Sequence, residues 1–359
     1  MNLRPLRARL ARRLLLPAAL ALTTLTCSGA NTDAPLSPIA SAAKQAMWWG
    51  DFAALEQHNA LYRQPGRSSA DGLSELSQFR NGVAIVFDYK VKNPESYMKE
   101  LDAITLQWAR QHPASGLAHA LHARALVAHA ASYRGGTYAK DVPPEAWAPY
   151  NDYLNQAATY LKDHADAALT DSYTHTILIN IGRSLGWERK QLAAILEAGL
   201  ARNPEDDGLY FAMLEALLPK WGGDARSLDA FIRKAAEQTR ARLGWGMYAR
   251  LYDTVADGQY GTALFEDSHA DWGKMKQGYE DLLARHPGSH QRLNRYAFMA
   301  CVARDKQAFL RVIEQIGANL RTDEWGANPE RAVETCRRWA AQADDAGSPR
   351  QSAKPVTTT

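Results

Sequence analysis

Three histidines, His119, His122 and His129, stand at offsets of three and seven residues in a stretch that is otherwise nearly all alanine, leucine and valine. At about 100° per residue these offsets put all three imidazoles within one ~80° sector of a helix. A divalent metal can accept imidazoles so placed. The surrounding residues favour a different reading. A helix this apolar over residues 116–131 is buried, its histidines pack and make local hydrogen bonds, and no acid or cysteine nearby in the sequence completes a ligand set.

Cys301 and Cys336 form the second candidate pair. They sit in separate helices, one opening near Ser289 and the other at Asn328, which in a stacked array are next-but-one and parallel. Their positions along the two helices differ by about four residues, or ~6 Å of rise, while a bridge needs Cα atoms within about 7 Å. Joined, they close a loop of some 35 residues, stabilising by roughly 4 kcal/mol on the chain-entropy model. Two buried free thiols are the alternative.

Trp221 is the tryptophan most suited to recognition, because Pro219-Lys220 before it and Gly222-Gly223 after it place it on a loop, where binding residues concentrate. Lys220 and Trp221 are accordingly candidate binding residues, with anchoring of the loop as the competing role. Other tryptophans, among them Trp147, Trp187, Trp245, Trp272 and Trp339, read as gap-fillers between helices. Arg134, ahead of Gly135-Gly136, is first a helix stop and second an anion-capturing residue. The chain has no Gly-x-Ser-x-Gly elbow, His-Glu-x-x-His, phosphate loop or Gly-x-Gly-x-x-Gly. No catalytic residue and no cofactor emerges.

Helices must position all of these residues. Apolar residues recur at helical spacing, as in Leu192, Ile195, Leu196 and Leu200 beside Glu197. Asn93-Pro94-Glu95, Asn203-Pro204-Glu205 and Asn328-Pro329-Glu330 each place a capping side chain, a proline without an N–H and a favourable acid at a helix start. Asp51, Ser115, Asp171, Ser227 and Asp305 read as further caps. Val83 to Val91 is β-branched enough to suggest a strand but reads as a helix end followed by an extended connection. The expectation is an all-α fold of about fifteen helices, stacked as antiparallel hairpins in a tetratricopeptide-like α-solenoid over residues 41–343. A single hairpin cannot hide its apolar face and must stack on neighbours. The prolines of Gln111-His112-Pro113, Arg202-Asn203-Pro204 and Arg285-His286-Pro287 lie 91 and 83 residues apart, so the array departs from the tetratricopeptide period of about 34.

The chain begins with a different kind of segment. Five arginines, an apolar run from Leu14 to Leu25, and Ser28 and Ala30 form the layout of a secretory signal over residues 1–30, cut after Ala30. Lipid modification of Cys27 is the rival, although Thr24-Leu25-Thr26 departs from the Leu-small-small pattern. Residues 31–40 and 344–359 read as flexible ends. Without the signal, 37 of the 42 basic residues face 39 acidic ones, which gives no ground for nucleic-acid or anionic-membrane binding. No later segment is long and apolar enough to span a bilayer.

Asp71-Gly72, Trp108 with Pro113 and Ser115, Arg134-Gly135-Gly136, Pro219-Lys220-Trp221-Gly222-Gly223, Asp271-Trp272, and Cys301 with Asp305 resemble an uncharacterised bacterial group, domain-of-unknown-function family four-zero-three-four. That resemblance spans about Asp71 to Trp325. It implies an exported, tetratricopeptide-like helical protein and no activity. Hairpins without reaction chemistry lead to an expected role: an exported scaffold of the periplasm or cell surface that binds a protein or peptide. An envelope enzyme acting on a sugar or cell-wall substrate, or a small-ligand or metal binder, is the alternative.

Overall fold

A computed structural model describes residues 36–326 and 328–342. The expected signal at 1–30, Cys27, the first part of the flexible segment and the tail at 344–359 lie outside the described residues. Among the described residues, fifteen helices of ten residues or more follow one another. In order they are α1 (Pro38–Trp49), α2 (Phe52–Tyr62), α3 (Glu75–Phe87), α4 (Pro94–Gln111), α5 (Gly116–Arg134), α6 (Trp147–Asp163), α7 (Ser172–Leu185) and α8 (Arg189–Arg202). Then come α9 (Asp207–Ala216), α10 (Ala225–Gln238), α11 (Gly246–Val255), α12 (Trp272–Arg285), α13 (His290–Val302), α14 (Lys306–Ile316) and α15 (Pro329–Ala341). Loops of two to four residues join α1 to α2, α4 to α5, α7 to α8, α12 to α13 and α13 to α14. Such loops turn neighbours antiparallel. Among the described residues there is no β-strand, only an isolated bridge between Ser68 and Ser74. No described helix is long and apolar enough to cross a membrane.

The caps explain most boundaries. Asp51, Asn93, Ser115, Asp171 and Asp305 each accept a hydrogen bond from a backbone N–H in the first turn, which satisfies one of the donors a helix start leaves unpaired. Three expected starts differ. Asn203-Pro204-Glu205 is a turn: Asn203 closes α8, its Oδ1 accepts from the Glu205 N–H at 3.1 Å, and α9 begins only at Asp207. Ser227 lies inside α10, whose cap is Asp224, accepting from the Ser227 N–H at 2.8 Å. The segment expected to be flexible to residue 40 is already helical from Pro38, because Ser37 caps it and Ala40 and Ala43 are buried. At Val83–Val91 the helix runs to Phe87 and an irregular connection follows.

The helices form two compact units, residues 36–67 with 75–206 and residues 68–74 with 207–326 and 328–342. In the first, α5 is the hub, packing against α3, α4, α6 and α7. Its alanines make this geometry workable: Ala118, Ala120, Ala123, Ala125 and Ala130 are fully buried on several faces, so neighbouring backbones approach closely while Leu117 and Leu121 fill the gaps. A helix apolar all round is a core helix. Truncating Leu121 to alanine would cost about 2–5 kcal/mol. In the second unit α13 holds the equivalent place, buried from Arg292 to Val302 and packed against α12, α14 and α15.

Candidate functional site

α4, α5 and α6 enclose a cleft of about 880 Å³. Each contributes one stripe at helical spacing: Lys99, Asp102, Leu106 and Arg110 from α4, His119, His122 and Leu126 from α5, and Tyr153, Gln156 and Tyr160 from α6, with His164 just beyond. Because α5 is the buried hub, its histidines form the floor, and α4 and α6 form the walls.

The floor is a connected polar network. His119 Nε2 lies 3.0 Å from the Pro113 carbonyl, which can only accept, so this nitrogen carries the proton. Its Nδ1 then accepts from the Tyr160 hydroxyl at 2.7 Å. Thr105 Oγ1 donates to the Leu101 carbonyl at 2.7 Å and so receives the Nδ1–H of His122 at 3.0 Å. That leaves His122 Nε2 as an acceptor. Burial holds both imidazoles neutral, lowering His119 and pushing His122 down to about 4, and it raises the Tyr160 phenol to about 12. His164 stacks on Tyr160 at 4.3 Å and tilts over His119 at 4.8 Å between ring centroids.

His129 has a different role from its two companions. Its Nδ1 lies 2.6 Å from Asp102 Oδ2 and its Nε2 3.1 Å from Glu95 Oε2, while Tyr133 donates to the same Glu95 oxygen at 2.6 Å. Lys99, Tyr133 and His129 together hold Glu95 down to about 2, and burial raises Asp102. Tyr153 stacks on the His129 ring at 3.9 Å. With both nitrogens engaged and the ring fully buried, His129 braces the cleft from behind. Among the described residues no group of three or more His, Cys, Asp and Glu side chains is placed to hold a metal ion. The hydroxyl of Thr105, fully buried and turned to Leu101, is closed off as a nucleophile.

Sequence spacing brought His119 and His122 together but gave no hint of Thr105, Tyr160, His164, Asp102 or Glu95, which reach the site from other helices. The available signal was the pairing of stripes, Asp102 with Thr105 on α4 and Tyr153 with Tyr160 on α6.

The other candidates lie elsewhere. Lys220 Nζ and Trp221 Nε1 both reach Glu215 Oε1, at 2.9 and 3.2 Å, which ties their turn to the end of α9. The Arg134 guanidinium lies over Trp147 and Tyr150 at 5.7 and 6.0 Å. Cys301 and Cys336 are joined in a disulfide, Cα atoms 5.7 Å apart, linking α13 to α15. No protein-family model, curated protein or solved structure matches the chain.

Proposed function

We propose that this is an exported, non-catalytic interaction protein of the cell envelope that receives a peptide segment of a partner in the cleft between α4, α5 and α6. One observation carries this reading: three helices each turn a continuous stripe of alternating polar and apolar residues into one open cleft whose imidazoles are held neutral. The oxygen of Tyr160 and Nε2 of His122 are acceptors for the N–H groups of an extended chain. Leu106 and Leu126 supply apolar contact, and Gln156 can both donate and accept. The exposed Arg110 at the rim favours carboxylate-bearing side chains. Removal of residues 1–30 and kinship with the group bearing the Pro-Lys-Trp-Gly-Gly loop belong to the same reading.

A photo-crosslinking residue at Gln156, expressed in the native cell, tests it. The expected result is a crosslinked peptide of one reproducible partner, lost when Leu106→Glu is added, on a protein whose purified N-terminus is Asn31. Absence of any partner at Gln156 in a folded, exported protein would overturn the binding role. An intact N-terminus, or a diacylated Cys27, would overturn the assigned cleavage.

A further inference from the structure

The second unit contains a cavity of about 650 Å³ that the cleft reading leaves unused. It is walled by the turn after α11, by α13 and by α15, and the Cys301–Cys336 disulfide lines it. Two departures from regular backbone meet there. Residues Ala256–Tyr260, which carry the lining residue Asp257, form a π-turn, a rare form that recurs at functional sites. Arg304, another lining residue, is the one non-glycine with positive φ among the described residues, at 59°; it closes α13, its N–H donating to the Cys301 carbonyl and the Asp305 N–H to the Ala300 carbonyl, and this left-handed turn sets its side chain at the cavity.

The lining chemistry is specific. Three arginines, Arg295, Arg304 and Arg331, face four carboxyl residues, Asp257, Glu266, Asp323 and Glu324. Arg295 is committed to Asp253 and Asp257 at 3.0 and 2.8 Å. Burial, the largest influence on Glu324, raises its carboxyl to about 7, so near neutral pH much of it is a donor. Trp325 is held by Asn294, which accepts from its Nε1 at 3.0 Å and from the Arg321 N–H at 2.9 Å; this fixes the turn carrying Glu324. Trp339 lines the cavity with the Arg304 guanidinium over its ring, 5.3 Å from the centroid, and Phe309 against it at 6.0 Å, so the two side chains Trp339 and Arg304 form one flat wall. Near-balanced charge disfavours a simple ion. Planar donors and acceptors next to an indole, in a pocket of ligand size, match a neutral ligand rich in hydroxyl groups.

We propose that the cavity walled by α13, α15 and the π-turn binds a saccharide, packed against the Trp339–Arg304 wall and hydrogen-bonded by Glu324 and Asp257. The site is independent of the peptide cleft, and its role is binding.

Calorimetric titration of the oxidised protein with chitobiose, cellobiose and maltose tests the proposal. At least one is expected to bind at millimolar concentration with a change in tryptophan fluorescence. Glu324→Gln, which keeps a donor, should stay within about threefold, while Glu324→Ala and Trp339→Ala each weaken binding by about tenfold or more. Thr335→Trp, at an exposed lining position on α15, fills the cavity and should abolish binding without touching the core, so a Trp339→Ala protein that fails to fold does not block the test. No binding of any of the three sugars, or binding unchanged by Thr335→Trp in a protein with a native circular-dichroism spectrum, overturns it.

Discussion

His122 and Thr105 meet across the seam between α5 and α4, Nδ1 to Oγ1 at 3.0 Å, with both side chains buried. Because burial holds His122 down to about 4 while an unfolded imidazole titrates near 6.5, the unfolded chain takes up a proton that the folded one refuses. The stabilisation is therefore present above about pH 6.5 and is lost as pH falls toward 4. Between pH 7 and 5 the wild type should lose about 2 kcal/mol more than His122→Gln in urea denaturation. Parallel curves for the two proteins would remove the buried neutral imidazole from the account.

Glu324 produces the opposite slope. Its carboxyl is raised to about 7, chiefly by burial, so the folded state keeps a proton that the unfolded chain, with its ordinary carboxylate value near 4.3, has released. That contribution is complete below about pH 4.3 and disappears as pH rises through 7. Glu324→Gln should consequently gain roughly 2–3 kcal/mol on the wild type between pH 4.5 and pH 8. Denaturation curves at the two pH values check this, and an unchanged difference would show Glu324 to be solvated.

The disulfide joins residues 35 apart in sequence and holds α15 onto α13. Replacing both cysteines, Cys301→Ala with Cys336→Ala, should lower unfolding free energy by about 2–4 kcal/mol. The loss should appear mainly as detachment of α15, detected as faster amide exchange over its residues. Alkylation without reductant should leave both cysteines unmodified in the wild type.

The hairpin fold was legible because each helix carries its own signals: Ser115 at one end of α5, Gly135 at the other, and apolar spacing between. Local signals failed where a neighbour decides. Asn203-Pro204-Glu205 satisfies every rule for a helix start, yet Asn203 also closes the preceding helix and its side chain bonds within a turn, so α9 opens later. The site divides the same way. His119 and His122 share a helix face that spacing can find, whereas Tyr160 and Glu95 come 41 and 34 residues away in sequence from their histidine partners. The pairing of Cys301 with Cys336 needed only the expectation that next-but-one helices lie side by side.

Gly223 is fixed by its surroundings. A Cβ there would sit 1.7 Å from the Leu217 carbonyl oxygen, a backbone atom that cannot swing aside, while Gly222 next to it has φ of 77° and open space around it. Gly222→Ala should therefore cost about 1 kcal/mol from the left-handed backbone alone. Gly223→Ala should cost more than 3 kcal/mol, because the whole turn must move and the grip of Lys220 and Trp221 on Glu215 is lost. Comparable thermal shifts for the two variants would mean the turn is not packed as described.

Arg80 anchors the first unit's polar core. It donates to Asp206 at 2.5 Å, to Asp171 at 3.3 Å and to Ser172 at 3.0 Å, and Asp171 also receives Asn59 at 2.7 Å while capping α7. Burial opposes ionisation of Asp171, but Arg80 and Arg63 outweigh it and its carboxyl lies below the usual range. Removing the guanidinium in Arg80→Met leaves two buried carboxylates short of a partner, which should cost about 3–5 kcal/mol. Adding Asp206→Asn removes one of those stranded charges and should recover a substantial part of the loss, although it adds no contact. A double variant no more stable than Arg80→Met alone would mean that lost packing, and not an unpaired charge, accounts for the destabilisation.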